Sequence, residues 1–302
     1  MTLSDFCRIV EIRTKIISVS AFLIGTLFAA HHAGRFSPLL ALLMLAATLS
    51  VDMGTTGFNS YFDFRSGVDN ARYNRERDKV LVHRGIGPNL ALLISLGLFG
   101  VAVLLGLLLG YLVGWEIIFV GAACMAVGFF YNGGPYPLSR TPLGELFAGG
   151  FLGLVLVVLS YYVQTQSLDA AALLAGLPSM LLVASILTVN NTCDLQGDRA
   201  AGRRTLSIVL GRRGGERVIY ALGAAAYTLA LLLPGLGLLP PATLAPLAAA
   251  ALLTAAEYRR MHRRGYSHQT KGASMGGISK VFVLYTAAML VSLLIGLRQF
   301  AF

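Results

Sequence analysis

Residues 38–69 read PLLALLMLAATLSVDMGTTGFNSYFDFRSGVD. The stretch opens as an apolar run, Pro38–Ser60, long enough to cross a bilayer as a helix, and passes without interruption into Asn59, Asp63 and Asp69. Asn59 and Asp63 are four residues apart and Asp52 lies seven before Asn59, so all three share one helical face. Ser66-Gly67 predicts the end of the helix, which frees Asp69 to fold back from a loop toward Asp63. A membrane-length helix that delivers carboxylates to one of its ends sets the expectation for the rest of the chain.

Similar apolar runs recur at Ile16–Ala33, Asn89–Leu112, Glu116–Asn132, Leu143–Gln164, Ala170–Asn191, Val218–Leu233, Pro241–Tyr258 and Gly277–Leu297. Together they predict an all-α, polytopic membrane protein of nine transmembrane helices, each apolar around most of its circumference, as lipid-solvated helices are. Composition agrees, since 56% of the 302 residues are hydrophobic and 13% charged, too apolar to cover a soluble globule with polar surface. The longest polar stretches, Asp63–Asn89 and Cys193–Arg217, are too short for a soluble domain and are expected to cap the bundle, leaving one integral-membrane domain over residues 1–302. No removable signal peptide is expected, because Asp5, Arg8, Glu11 and Arg13 precede the first apolar run and no small-residue cleavage site follows it. Cys7, Cys124 and Cys193 are scattered without metal-ligand spacing and read as reduced thiols.

The net charge of +10 is distributed rather than patched. Arg65–Arg84, Arg140, Arg199–Arg217 and Arg259–Lys271 occupy every second join, with Arg8, Arg13 and Lys15 at the start; only Arg35 and Arg298 fall on the other side. The positive-inside rule therefore predicts a cytoplasmic N-terminus, an outer C-terminus and both polar caps facing the cytoplasm from a cytoplasmic membrane. The same scatter, with no aromatic-basic recognition segment, argues against a nucleic-acid partner. Trp115, Tyr161 and Tyr162 fall near predicted membrane ends, where interfacial anchoring is the expected role.

The sixth apolar run ends in a second acidic cluster, in which Asn190, Asp194 and Asp198 recur at four-residue steps and share one helical face. Charged residues at helix ends are often solvated caps or local ion pairs. Two Asn/Asp clusters on the same predicted side, both trailed by arginines, favour a site instead. Carboxylates gathered at a membrane surface repel one another, and a hard dication such as Mg2+ relieves this by taking oxygen ligands and bridging them to substrate phosphates. Arg65, Arg72, Arg75, Arg77, Lys79 and Arg84 after the first cluster, with Arg199, Arg203 and Arg204 after the second, are suited to diphosphate oxygens. His31, His32, His83, His262 and His268 show no metal-ligand arrangement and are left outside the predicted site.

At these two motifs the chain resembles the UbiA superfamily of intramembrane prenyltransferases, over nearly its whole length. Members carry N-x-x-x-D with a further Asp after the second helix and D-x-x-x-D after the sixth, on a nine-helix bundle around a central cavity that opens toward lipid. The spacing from Asn59 to Asp69 is similar to that of the menaquinone-pathway branch, which prenylates 1,4-dihydroxy-2-naphthoate. Tyr131-Asn-Gly-Gly-Pro-Tyr-Pro-Leu138 resembles that branch's Y-x-G-G-P-Y-P segment, and Asp198-Arg-Ala-Ala-Gly-Arg-Arg-Thr-Leu206 its D-x-x-x-G-[KR]-x-T-L segment. Two departures leave open which basic residues hold the diphosphate: Ile12-Arg13-Thr14-Lys15 stands where the family commonly has Arg-Pro-x-Thr, and Lys79-Val80 replaces the usual Arg-Pro.

The resemblance implies a polyprenyl diphosphate, an aromatic acceptor and membrane lipid as partners, with no obligatory protein partner, and two Mg2+ ions as cofactor. It implies Asn59, Asp63, Asp69, Asn190, Asp194 and Asp198 as metal-facing residues, with Lys79, Arg72, Arg203 and Arg204 at the diphosphate. Prenyl transfer breaks an allylic C–O bond, so the leaving diphosphate must be stabilised and the carbocation shielded from water. Tyr131 and Tyr136 are the candidates for aromatic faces against that cation, and Arg13 and Lys15 for the carboxylate of the acceptor. Attack at the carboxyl-bearing carbon followed by loss of CO2 is the step the menaquinone branch implies. A secondary transporter is the rival from another class, but the acids gather at one membrane face and no repeated half with broken helices is visible. A phospholipid phosphotransferase would need a D-G-x2-A-R-type signature that is absent, and 4-hydroxybenzoate or homogentisate remain alternative acceptors.

Overall fold

The computed structural model describes residues 2–67, 80–83 and 85–300, and among them it contains helices and no strand. The long elements are α1 (Ile16–Ala33), α2 (Pro38–Arg65), α3 (Pro88–Leu112), α4 (Glu116–Asn132), α5 (Gly144–Thr165), α6 (Ala170–Cys193), α7 (Leu206–Leu232), α8 (Leu244–Arg264) and α9 (Lys271–Phe300). Their starts follow ordinary helix chemistry. Ser37 caps α2 ahead of Pro38, Pro88 opens α3, and Asp169 accepts the Ala171 amide at 2.8 Å to cap α6.

Six of these helices, α1, α2, α3, α5, α6 and α9, are long and apolar enough to cross a membrane, and α4 is a shorter apolar helix. The outward faces agree with a lipid solvent. On α3 the buried side is made of Ala91, Ser95, Ala102, Leu109 and Gly110, while Leu93, Leu104 and Tyr111 are exposed. The helices α7 and α8 do not reach the same hydropathy, because Arg212, Arg213, Glu216 and Arg217 sit inside the first and Glu257, Arg259 and Arg260 inside the second.

The core lies where α1, α5, α6, α7 and α9 meet, around Phe28, Leu182, Ile219, Phe282 and Tyr285. Tyr161 belongs to this core, 2% exposed and tilted against Phe28, so the interfacial role expected of it is replaced by packing. Close approach of α5 and α6 is made by Gly149 and Gly153, where an added Cβ would strike the Met180 backbone. The same stretch, Gly149–Val155, winds as a π-helix.

Two expectations about the polar caps change. The stretch expected to cap the bundle after α6 is helical: Leu195–Ala200 forms a short helix, and α7 begins at Leu206, twelve residues before the expected start at Val218. Arg212, Arg213 and Arg217 hide that helix from a hydropathy reading, and Gly211, at φ 72°, breaks it locally. The helix carrying the first motif runs five residues past the apolar run to Arg65, ending at Ser66-Gly67 as expected, so the stretch read as a cap from Asp63 begins later and Asp63 sits on the last helical turn.

Candidate functional site

α2 ends at Arg65 and α6 at Cys193, and both ends open onto one cavity of about 1980 Å³. Its deep part is apolar, with Met44, Leu109, Ile117, Leu156 and Val183 on the walls. Its mouth is polar, with Asn59 and Asp63 from α2 and Asn190, Asp194 and Asp198 from α6 and the helix that follows. The two clusters, far apart in sequence, line one mouth because α6 is prolonged through Asp194 into the short helix Leu195–Ala200, the Asp198 amide donating to the Asp194 carbonyl at 2.9 Å.

Arg203 joins the clusters. Gly202 adopts φ 71°, a left-handed turn that returns the chain so that the Arg203 amide donates to the Asp198 carbonyl at 2.9 Å. From there the guanidinium reaches Asp198 Oδ1 at 3.2 Å and Asp63 Oδ1 at 3.1 Å. Asp194 is held from α9, with Lys271 Nζ 2.6 Å from Oδ2 and His268 Nδ1 3.7 Å from Oδ1. Burial pushes the Asp198 carboxyl up to about 6; the Arg203 charge opposes the rise and the nearby Asp194 adds to it.

The donor set fits a hard cation. Asn59 Oδ1 and Asp198 Oδ2 are both buried at the mouth and have no hydrogen-bond partner among the described residues. Each is an oxygen, the donor type Mg2+ selects, and a buried acceptor left unpaired is costly unless a ligand satisfies it. No group of three or more His, Cys, Asp or Glu side chains is drawn around one point among the described residues. The side chains of Arg203 and Lys271 themselves occupy the carboxylates, and two of the oxygen donors are asparagines.

Tyr131 lines the cavity within electrostatic reach of Glu145, Arg203 and Asp63. Arg13 stands exposed at the rim. Three expected contacts are not brought in. Lys15 is 4% exposed and turned away into Asp52 and Thr56, at 2.7 and 2.6 Å. Arg204 is exposed, its amide donating to the Arg140 carbonyl at 2.8 Å. Tyr136 is 88% exposed and borders only a shallow apolar depression with Phe130 and Leu138. Asp69, Arg72 and Lys79 lie outside the described residues.

Sequence reading passed over three polar groups near the mouth. Lys271 and His268 were counted with a basic join or set aside. Glu145 is 3% exposed inside the apolar run of α5; it accepts the Asn191 amide at 2.9 Å, and its Oε2 has no partner among the described residues. A lone acid in a membrane-length apolar run was the signal available for it.

A helical bundle with membrane-length spans and an acid-rimmed apolar cavity defines the class: a multi-pass membrane protein with an internal ligand site. The sequence matches the UbiA prenyltransferase family over residues 18–278, and the chain belongs to that family. A 1,4-dihydroxy-2-naphthoate octaprenyltransferase of Bacillus subtilis (strain 168) is 35% identical over 205 residues, which cover 68% of this chain and 65% of that protein. The match thus spans slightly less than two thirds of that relative's length. The apo structure of a UbiA homologue from Aeropyrum pernix K1 superposes with a TM-score of 0.66 at 18% identity, covering 96% of this chain and 98% of the other. A UbiA homologue from Archaeoglobus fulgidus bound to GPP and Mg2+ superposes at 0.60 with 15% identity, covering 95% and 99%. At these identities the likeness is one of fold.

Proposed function

We propose that this chain transfers a polyprenyl group from its diphosphate to 1,4-dihydroxy-2-naphthoate in an Mg2+-dependent reaction, with loss of CO2 to give demethylmenaquinol, the reduced form that a separate oxidation converts to demethylmenaquinone. The observation that carries the reading is the meeting of two acid clusters, with buried oxygens at Asn59 and Asp198 that have no partner among the described residues, over the mouth of a long apolar cavity. The choice of acceptor rests on the Bacillus relative and on the Asn59-to-Asp69 spacing.

In this reading Asn59, Asp63, Asp69, Asn190, Asp194 and Asp198 would hold two Mg2+ ions, whose charge would offset that on the leaving diphosphate. Arg203 would leave the carboxylates for diphosphate oxygens, and Arg13, Arg72 and Lys79 would add positive charge toward the same diphosphate. The allylic C–O electron pair goes with the diphosphate, the Tyr131 ring faces the cation, and the acceptor carbon then supplies the new bond. The apolar walls keep water from the cation and leave room for a tail longer than an ordinary ligand pocket would accept. We place the chain in the cytoplasmic membrane as one domain of nine spans, with α7 and α8 included, the N-terminus and the site at the cytoplasmic face and the C-terminus outside.

The test is prenyl transfer by purified protein in detergent with geranylgeranyl diphosphate and 1,4-dihydroxy-2-naphthoate, with and without Mg2+. Product is expected only with metal, and Asp63→Asn or Asp194→Asn should lower it by about 10²–10³-fold, the scale of losing one electrostatic stabiliser. Metal-dependent diphosphate release with 4-hydroxybenzoate or homogentisate in place of the naphthoate would correct the acceptor. Turnover indifferent to chelator and to both substitutions would overturn the reading.

A further inference from the structure

The turn between α8 and α9 is built more firmly than a connection requires. Ser267 and Thr270 bond each other, the Ser267 amide donating to Thr270 Oγ1 at 2.9 Å and the Thr270 hydroxyl reaching the Gly265 carbonyl at 3.0 Å. Tyr266 is 3% exposed and donates to the Tyr220 hydroxyl at 3.1 Å, which pins the turn to α7. The fixed turn presents His268 and Lys271 to the cavity, on the side of Asp194.

Lys271 Nζ holds a carboxylate that a divalent cation at the cavity mouth would also use. The ammonium lies 2.6 Å from Asp194 Oδ2, with the Lys271 side chain 18% and the Asp194 side chain 22% exposed. A carboxylate has lone pairs for both an ammonium and Mg2+, but held on the same group the two cations repel one another at close range, so each weakens the other. We propose that Lys271 is a resident counter-cation of Asp194: it neutralises the carboxylate whenever no metal is bound, yields it to the metal, and then binds the diphosphate. The inference rests on the metal-dependent reading above, and it adds a cation from the start of the last helix to the acids that α2, the end of α6 and the short helix after it bring to the mouth. Lysine suits such a hand-over, since its compact charge sits on a flexible stem that can turn from one anion to another without the fixed fork of arginine.

The experiment measures Mn2+ binding to the full-length protein in detergent, from the signal of free Mn2+ by electron paramagnetic resonance, with no substrate present. Lys271→Gln is expected to bind Mn2+ about tenfold more tightly than the unaltered protein, the factor for one lost charge-assisted bond. Lys280→Gln removes the same charge from α9 at a lysine paired with Glu257 at 3.3 Å, outside the cavity, and should leave binding unchanged. In turnover, Lys271→Gln should raise KM for the prenyl diphosphate about tenfold, with Lys271→Arg recovering part of it. In the unaltered protein, Mn2+ should speed acylation of the Lys271 amine several-fold, and inorganic diphosphate should reverse this. Unchanged or weaker Mn2+ binding in Lys271→Gln, or Lys271 labelling indifferent to Mn2+, would overturn the proposal while leaving the metal site standing. An unaltered protein that binds no Mn2+ would remove the metal reading itself, and the inference with it.

Discussion

Two buried ionic groups line the same helix, and they are built to opposite specifications. Around Asp52, Lys15 Nζ lies 2.7 Å from Oδ1, Ser18 donates to Oδ2 at 2.6 Å, and Thr56 sits 2.6 Å from the ammonium. Every carboxylate oxygen there is answered by a protein donor. About 16 Å further along α2, at 1.5 Å per residue, Asp63 shares Arg203 with Asp198, while Asn59 Oδ1 and Asp198 Oδ2 are buried without partners among the described residues. A closed network within a membrane span is a structural clamp, here tying α1 to α2. An open one keeps acceptors for something that is not part of the chain.

If that contrast is right, breaking the clamp costs stability and breaking the open group costs binding. Lys15→Met should destabilise the protein by about 3–5 kcal/mol, the usual penalty for leaving one buried charge alone, and the pair Lys15→Met with Asp52→Leu should recover most of it. Thermal melting in detergent reads both. A site role for Lys15 would instead show as unchanged melting with lost turnover.

Asn59→Ala, by contrast, should leave melting nearly unchanged and weaken Mn2+ binding about tenfold, since the oxygen removed has no partner among the described residues. A large drop in melting temperature would put Asn59 in the clamp class.

The smallest effect is the pH dependence of Asp198. Its carboxyl is raised from 3.8 to about 6 by burial, so between those values the folded chain binds more protons than the unfolded one. Stability without metal should therefore fall as pH rises through that window, and Asp198→Asn should flatten the slope. Metal affinity should move the other way, strengthening as the carboxyl ionises toward pH 6. A slope unchanged by Asp198→Asn would show that the orphaned oxygen carries no buried charge.

The contrast between the two groups was only half legible in the sequence. The apolar runs located α1 through α6 to within a few residues at most ends, because a lipid-facing helix leaves its length in the chain as an unbroken stretch. The i, i+4 spacing placed Asn59 with Asp63 and Asn190 with Asp194 correctly, because helical phase is local. What failed was the choice among neighbours. Arg203 and Arg204 are adjacent and chemically alike, yet the φ 71° turn at Gly202 sends one between the carboxylates and leaves the other in solvent. Lys15 looked available for a ligand because its partner Asp52 is 37 residues away, a pairing that only the approach of α1 to α2 creates. Lys271 was hidden the same way, 77 residues from Asp194.

Asn59 Oδ1 and Asp198 Oδ2, without partners among the described residues, are proposed to ligate a divalent cation between α2 and α6. The direct measurement is a structure of the protein with Mn2+ and a non-hydrolysable prenyl thiodiphosphate, using anomalous scattering to place the metal. Mn2+ is expected on Asn59 Oδ1 and Asp198 Oδ2, with Arg203 moved from Asp63 onto the diphosphate. Arg203 still bridging Asp63 and Asp198, with Mn2+ elsewhere or absent, would contradict it.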